Sequence, residues 1–203
     1  MIKNIVFDLG NVLLRYDPIG FLRELGYDED RVRDLKSLIF DSPTWRLADQ
    51  GLISIEDHTQ VYLYQAPHYE TEIRYLMQHW VEMPTLIDES ARLFQACIDQ
   101  GYRVYILSNY PQQGFNEMWE STPLLHQAHG AVISYRIKLV KPMPEIYRYL
   151  LDTYGLDPKE TVFMDDLHEN ISAACAVGIR GIQFKSVTQA KEALFELGVE
   201  LKS

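Results

Sequence analysis

The chain has 203 residues, enough for one large domain or for one domain carrying an insertion. Hydrophobic residues make up 47% and charged residues 24%, so a substantial core can form. The net charge of −10, with 19 Lys and Arg scattered along the chain, argues against nucleic acid or an anionic membrane as partner, since either needs a basic stripe.

In chain order, Ile2–Asp8 "IKNIVFD" reads as a buried strand that ends on a carboxylate. From about Asp17 to Pro84 no convincing strand follows. Helical patterns such as "PIGFLREL" and "EIRYLMQHWVEM" fill the stretch, punctuated by Asp28, Ser42-Pro43, Ser54 and Pro67, and about four helices are expected. Leu86–Gln100 places Leu86, Ile87, Phe94, Cys97 and Ile98 on one helical face and stops at Gly101. Tyr102–Ser108 "YRVYILS" is the next strand and Gly130–Tyr135 "GAVISY" a weaker one. The helix Glu145–Tyr154 is closed by Gly155, and the strands Thr161–Asp165 and Gly181–Phe184 follow. Strands alternating with helices imply parallel pairing. The expected fold is α/β, a Rossmann-like doubly wound parallel sheet with a helical cap inserted after the first strand. Residues 1–16 and 85–203 would form the core domain and 17–84 the cap.

Cys97 and Cys175 each sit among apolar residues on predicted helices, without a disulfide framework or metal-ligand spacing, and read as structural thiols in a reducing compartment. No basic and then apolar leader follows Met1, and no run approaches the roughly 18 apolar residues of a membrane span. A soluble cytoplasmic protein, monomeric or weakly self-associating, is expected, acting on a small molecule rather than on nucleic acid or membrane.

Three predicted strands deliver polar residues at their carboxyl ends: Asp8, then Ser108-Asn109, then Asp165-Asp166, while Lys141-Pro142 lies in the loop before the Glu145 helix. In a parallel sheet those ends share one edge. Three carboxylates, a hydroxyl and a lysine there suit phosphoryl transfer. An Asp can attack phosphorus, Mg²⁺ takes carboxylate and phosphate oxygens, and a lysine with a hydroxyl can steady the phosphate. The negative net charge is no obstacle, because one divalent cation reverses the local field. Taken singly each residue has a plainer reading: turn chemistry for Ser108-Asn109, a solvated loop for Lys141-Pro142, a helix cap for Asp165-Asp166. His168, with no His or Cys partner, reads as a surface residue. Trp45, Tyr62, Tyr64 and Trp80 read as cap core rather than a stacking platform, and Arg46 and Asp49 are secondary candidates for the pocket.

The motifs "FDLGNVL", "ILSN", "VKP" and "VFMDDLHENISAA", in this order, resemble those of the haloacid dehalogenase-like hydrolase superfamily. With "LADQGLIS" in the helical insertion, "FDLGNVL" is similar to the capped phosphatase branch that contains bacterial α-glucose-1-phosphate phosphatase. The resemblance implies a Mg²⁺-dependent phosphomonoester hydrolase acting through an aspartyl-phosphate, on a small phosphorylated metabolite such as a sugar phosphate. It makes Asp8 the nucleophile and a metal ligand, and Gly10 a metal ligand through its carbonyl. Ser108 and Asn109 would hold the phosphate, Lys141 would pair with Asp8 and phosphate, Asp166 would ligate the metal directly, and Asp165 would do so directly or through water.

One position departs from that pattern. Such phosphatases usually carry a second Asp two residues after the first, to protonate the leaving group and then activate water. Gly10 can do neither, and acid–base help is worth about 10²–10⁴-fold. The substrate could have an acidic leaving group, as a sugar 1-phosphate does, or another acid could reach in, Asp17 being nearest in sequence. A metal-independent haloacid dehalogenase-type hydrolase also lacks that acid, but adjacent Asp165 and Asp166 near Asp8 repel unless a cation lies among them. A catalytically impaired binding or regulatory protein of the same fold is the remaining alternative. With no substitute base, the covalent intermediate should hydrolyse slowly and product should appear in a burst.

Overall fold

The computed structural model describes residues 1–201. Among them, five strands form one parallel sheet in the order β5-β4-β1-β6-β7. These are β1 (Asn4–Phe7), β4 (Arg103–Ser108), β5 (Gly130–Ile133), β6 (Thr161–Asp165) and β7 (Arg180–Gln183). β1 is the central strand: Phe7 is in register with Ile106 of β4 on one side and Met164 of β6 on the other. Side chains alternate between the two faces, as the strand period requires. Ile5, Phe7, Ile106 and Met164 join one apolar cluster with Leu93, Phe94 and Cys97 of α6 (Asp88–Asp99) and Leu194 of α11 (Val187–Glu196). Val6, Tyr105, Leu107 and Phe163 join the other, with Ile146, Tyr147 and Leu150 of α9 (Pro144–Tyr154) and Ala174 of α10 (His168–Ala176). Both faces are therefore covered, and the expected doubly wound sheet is present. The weak strand expected over Gly130–Tyr135 is shorter, because Ser134–Ile137 turns into a short helix, α8.

Between β1 and β4 the chain runs through α1 (Pro18–Glu24), α2 (Glu29–Leu35), α3 (Pro43–Asp49), α4 (Ile55–Gln65) and α5 (Glu70–His79), five α-helices where about four were expected. The punctuation works as read. Asp28 caps α2 by accepting from Arg31 N, Ser42 caps α3 through Trp45 N with Pro43 in its first turn, and Ser54 caps α4 through Asp57 N. Two-residue strands missed in the sequence flank the segment: β2 (Leu14–Arg15) pairs antiparallel with β3 (Thr85–Leu86). Strands this short leave no periodicity to read. The apolar residues of the helices, Leu22, Leu35, Ile39, Trp45, Tyr62, Leu76 and Trp80, belong to the same cluster as Phe7 and Phe94.

Two expectations about single residues change. Cys97 is buried and its thiol is pushed up to about 12 by burial, but Cys175, on α10, is exposed. Tyr64, grouped with the cap core, is 90% exposed on α4. No helix among the described residues is long and apolar enough to cross a membrane.

Candidate active site

The strand order puts β4, β1 and β6 side by side, so Ser108, Asp8 and Asp165 meet at one sheet edge. Lys141 reaches the same point. Its Nζ lies 2.7 Å from Asp8 Oδ1 and 2.6 Å from Asp165 Oδ2, and all three residues are buried. The loop that carries it is fixed by Asn109, whose Oδ1 accepts from Lys141 N at 2.8 Å and whose Nδ2 donates to Lys141 O at 3.0 Å. The side chain of Asn109 is thus committed to positioning the lysine, and its backbone N–H stands beside Ser108 at the same sheet edge. Ser108 is buried, and among the described residues its hydroxyl makes only a long 3.4 Å bond to Asn109 O.

The three carboxylates differ in how much of each is spoken for. Asp8 Oδ1 accepts from Leu9 N at 2.7 Å as well as meeting Lys141, which leaves Oδ2 as the uncommitted atom. Asp165 is saturated. Its Oδ1 accepts from Leu167 N and Asn170 Nδ2, each at 2.9 Å, and its Oδ2 from Lys141 Nζ at 2.6 Å and Asn170 Nδ2 at 3.0 Å. Asp166 is half-buried, with Oδ2 accepting from Asn11 Nδ2 at 3.1 Å. Asn11 stands in the left-handed region at φ 52°, which Asn tolerates better than most side chains. Its Oδ1 accepts from Tyr16 N at 3.1 Å. This residue was missed in the sequence, although an Asn directly after Gly10 in a tight turn is a signal for it.

The electrostatics follow. Burial raises the Asp8 carboxyl, and Asp165 and Asp166 push the same way against Lys141. Asp166 is raised too, chiefly by burial and opposed by the Asn11 bond. Oxygens of Asp8, Asp165 and Asp166 lie within 4.8 Å of one another, and one lysine cannot balance three acids. A divalent cation fits this donor set, with the uncommitted oxygens of Asp8 and Asp166 as its natural ligands and Asp165 already satisfied.

Above the edge lies a chamber of about 250 Å³ lined by Gly10, Tyr16, Phe40, Trp45, Asp49 and Tyr110, among others. Asp49 also borders a cleft of about 420 Å³ that contains Arg46 and Lys141. Its carboxyl is pushed up to about 7, first by burial and then by Asp8, with Lys141 and Arg46 opposing. Asp49 ends α3, and the turn after it is bolted to α8. Ser134 Oγ donates to Asp49 O, Gln50 Nε2 donates to Lys138 O at 2.7 Å, and Lys138 Nζ donates to Gly51 O. Gly51 has φ +65°, and a Cβ there would stand 2.6 Å from Lys138 Nζ and 2.7 Å from Tyr135 O, so the close approach needs glycine. Asp17, the acid nearest in sequence, instead caps α1 by accepting from Gly20 N at 2.9 Å. His168 is exposed, as read.

The family model for haloacid dehalogenase-like hydrolases matches residues 2–178, and the chain belongs to that family. The sesquiterpene phosphatase astK of Aspergillus oryzae is 28% identical over 182 residues, which cover 89% of this chain and 88% of that protein. The D-ribitol-5-phosphate phosphatase of Bacteroides thetaiotaomicron is 26% identical over 194 residues, covering 90% and 92%. Among solved structures, a family member from Bacteroides thetaiotaomicron in complex with magnesium and inorganic phosphate superposes with a TM-score of 0.70 at 22% identity, covering 91% of this chain and 95% of that one. A dehalogenase superposes with a TM-score of 0.75 at 17% identity, covering 95% and 97%.

Proposed function

We propose that this haloacid dehalogenase-like hydrolase is a magnesium-dependent phosphomonoesterase that works through an aspartyl-phosphate on Asp8. The observation that carries the reading is the meeting of Asp8, Asp165, Asp166 and Lys141 at one buried sheet edge, an excess of acid that suits a cation and a phosphate together. Two full-length relatives named as phosphatases and a neighbour that holds magnesium and phosphate support it. Magnesium held by Asp8, Asp166 and the Gly10 carbonyl would offset charge on the phosphate oxygens.

In this reading Asp8 Oδ1, oriented by Lys141 and Leu9 N, attacks phosphorus, and Oδ2 is left for the cation. The P–O ester bond breaks and the departing alkoxide takes a proton from Asp49. Water then attacks phosphorus, Asp49 accepts its proton, and the P–O bond to Asp8 breaks to release phosphate. Ser108 steadies the phosphoryl oxygens, and Asp165 orients Lys141. Asp49 supplies what Gly10 lacks. Of the other carboxyls lining the cleft, Asp41 is paired with Lys36 at 2.6 Å and Glu169 is exposed.

The test is phosphate release from a panel of phosphomonoesters, sugar 1-phosphates and 6-phosphates included, with Mg²⁺ and with EDTA, for wild type and Asp8→Asn. Turnover that needs Mg²⁺ and vanishes in Asp8→Asn is expected. Release of halide from 2-haloacids without metal, and no phosphate from any ester, would move the assignment to the dehalogenase alternative.

A further inference from the structure

Tyr16, after β2, and Tyr110, after β4, both line the active-site chamber beside Gly10 and Asp49. Each is tied by its backbone to the site. Tyr16 N donates to Asn11 Oδ1, and the amide of the same Asn11 donates to Asp166. Tyr110 N donates to Ser134 Oγ at 2.9 Å, and that hydroxyl donates in turn to Asp49 O. Ser134 is fully buried, so one side chain fixes the tyrosine after β4 and the acid of the helical insertion together.

The phenol hydroxyls of this pair are not used by the fold. Buried tyrosine hydroxyls normally find a partner. Tyr62 donates to Ile39 O at 3.0 Å and Tyr147 to Asn170 O at 2.9 Å. Tyr16 Oη and Tyr110 Oη bond to nothing among the described residues, where the hydrogen bonds of both tyrosines are made by backbone atoms. Nor are these hydroxyls sealed off. The unpartnered side-chain atoms out of reach of water belong instead to Asn4, His58, Trp80, Ser90 and Gln113. An unbonded hydroxyl outside that set touches space that water can enter, and the cavity these two residues share is the chamber. The electrostatics agree: burial raises both phenols, Asp49 raises both further, and Tyr110 raises Tyr16 as well.

With the Asn109 side chain committed to Lys141, the chamber's side-chain oxygens without a partner among the described residues are those of Asp49, Tyr16 and Tyr110. Asp49 is assigned to the proton, which leaves two phenols, each able to donate and to accept. An alkyl leaving group that filled the chamber would displace water from both and return no hydrogen bond. We propose that Tyr16 and Tyr110 determine specificity by hydrogen-bonding the leaving alcohol, and that this alcohol carries at least one further hydroxyl near the ester oxygen. The inference rests on the phosphomonoesterase reading. The chamber, about 250 Å³, falls below the roughly 300–1,000 Å³ of sites for drug-sized ligands, so a hydroxyl that reaches these phenols stands only a few bonds from the ester.

The test compares matched esters, glycerol 1-phosphate with n-propyl phosphate and erythritol 4-phosphate with n-butyl phosphate, in wild type, Tyr16→Phe and Tyr110→Phe with Mg²⁺. Phenylalanine keeps the ring and removes a hydroxyl that the fold does not use, so both variants should fold. In wild type, kcat/KM should favour the hydroxylated ester by about five- to 150-fold, the range for leaving a sealed polar group unpaired. Part of that preference reflects the more acidic leaving alcohol, which no tyrosine controls, so the readout is how the ratio changes between proteins. Each Phe variant should cut the ratio by about two- to tenfold. A merely structural role would slow both esters alike and leave the ratio fixed. Turnover with a ratio unchanged in both variants overturns the proposal and leaves the phosphatase reading standing. A change in one variant alone overturns the role of the other tyrosine. A second measurement needs no turnover: calorimetric affinity of Asp8→Asn for the same ester pairs with Mg²⁺, with and without each Phe substitution. A preference for the hydroxylated ester that shrinks with each substitution supports the contacts even where phosphate release is too slow to follow. Neither binding nor turnover of any ester overturns the proposal together with the reading it rests on.

Discussion

If Asp49 stands in for the acid absent at Gly10, Asp49→Asn should separate the two chemical steps. Asparagine keeps the shape of the side chain, and the turn is held by the side chains of Ser134, Lys138 and Gln50 donating to the backbone carbonyls of Asp49, Gly51 and Lys138, none of which uses the Asp49 carboxyl, so the positioning survives. With Asp41 paired and Glu169 exposed, no other carboxyl lining the cleft is placed to compensate. The full general acid–base contribution, about 10²–10⁴-fold or roughly 3–5 kcal/mol, should therefore be lost. With p-nitrophenyl phosphate the leaving group needs no proton, so formation of the aspartyl-phosphate stays fast and only its hydrolysis slows. Rapid-mix kinetics of the variant should show about one equivalent of nitrophenolate per active site, followed by a steady rate lower by that factor. Wild type should release it linearly. With an alkyl phosphate the variant should be slow from the first turnover. A variant that is linear and unimpaired with both esters, or equally impaired in the first turnover with both, would refute the acid–base role. Misfolding is a poor explanation in advance. A carboxyl pushed up to about 7 is ionised at pH 8 against its surroundings, so Asp49→Asn should be at least as stable there as wild type, by urea unfolding.

Gly10 has nothing within 4 Å of where a Cβ would stand, so Gly10→Asp fits, and placed in Asp49→Asn it should restore at least tenfold of alkyl phosphate turnover. Lys141→Met leaves Asp8 and Asp165 buried without their cation and should lower metal-free stability by about 3–5 kcal/mol, with part regained as Mg²⁺ is added. His58 is held down to about 4 by burial. The unfolded imidazole takes up a proton below about pH 6.5 while the folded one stays neutral, so stability is lost as pH falls from about 6.5 towards 4. By urea unfolding, the margin of wild type over His58→Gln should shrink across that window by up to roughly 3 kcal/mol. Gly114→Ala drives a methyl into Trp80 and should lower the urea midpoint, by about 1–2 kcal/mol in stability, without changing the slope.

The sheet and the residues at its edge were legible because both are local. A run such as Ile5-Val6-Phe7 ending on Asp8 declares a buried strand and its tip, and a parallel sheet gathers such tips whatever their separation in sequence. The resemblance already set Asp166 ahead of Asp165 as metal ligand, but the physical basis for that division was not legible, because it depends on which lone pairs are already filled. Asp165 and Asp166 are equivalent as letters. Only the bonds from Lys141, Leu167 and Asn170 satisfy one and leave the other open, and only the bonds to the Lys141 backbone show that the Asn109 side chain also braces the lysine loop. The acid proposed here, Asp49, was hardest to see for the same reason. A carboxyl at position 10 would announce itself by spacing from Asp8, whereas Asp49 acquires its place through α3, the left-handed Gly51 and a tether to α8 more than 80 residues later in the chain. Nearness in sequence pointed to Asp17, whose carboxylate is used up in capping a helix. The proposed move of the acid from the strand turn to the helical insertion also has a physical consequence. Proton transfer then depends on how α3 sits over Asp8, so a leaving group that packs against Trp45 on that helix can influence how well its own departure is catalysed.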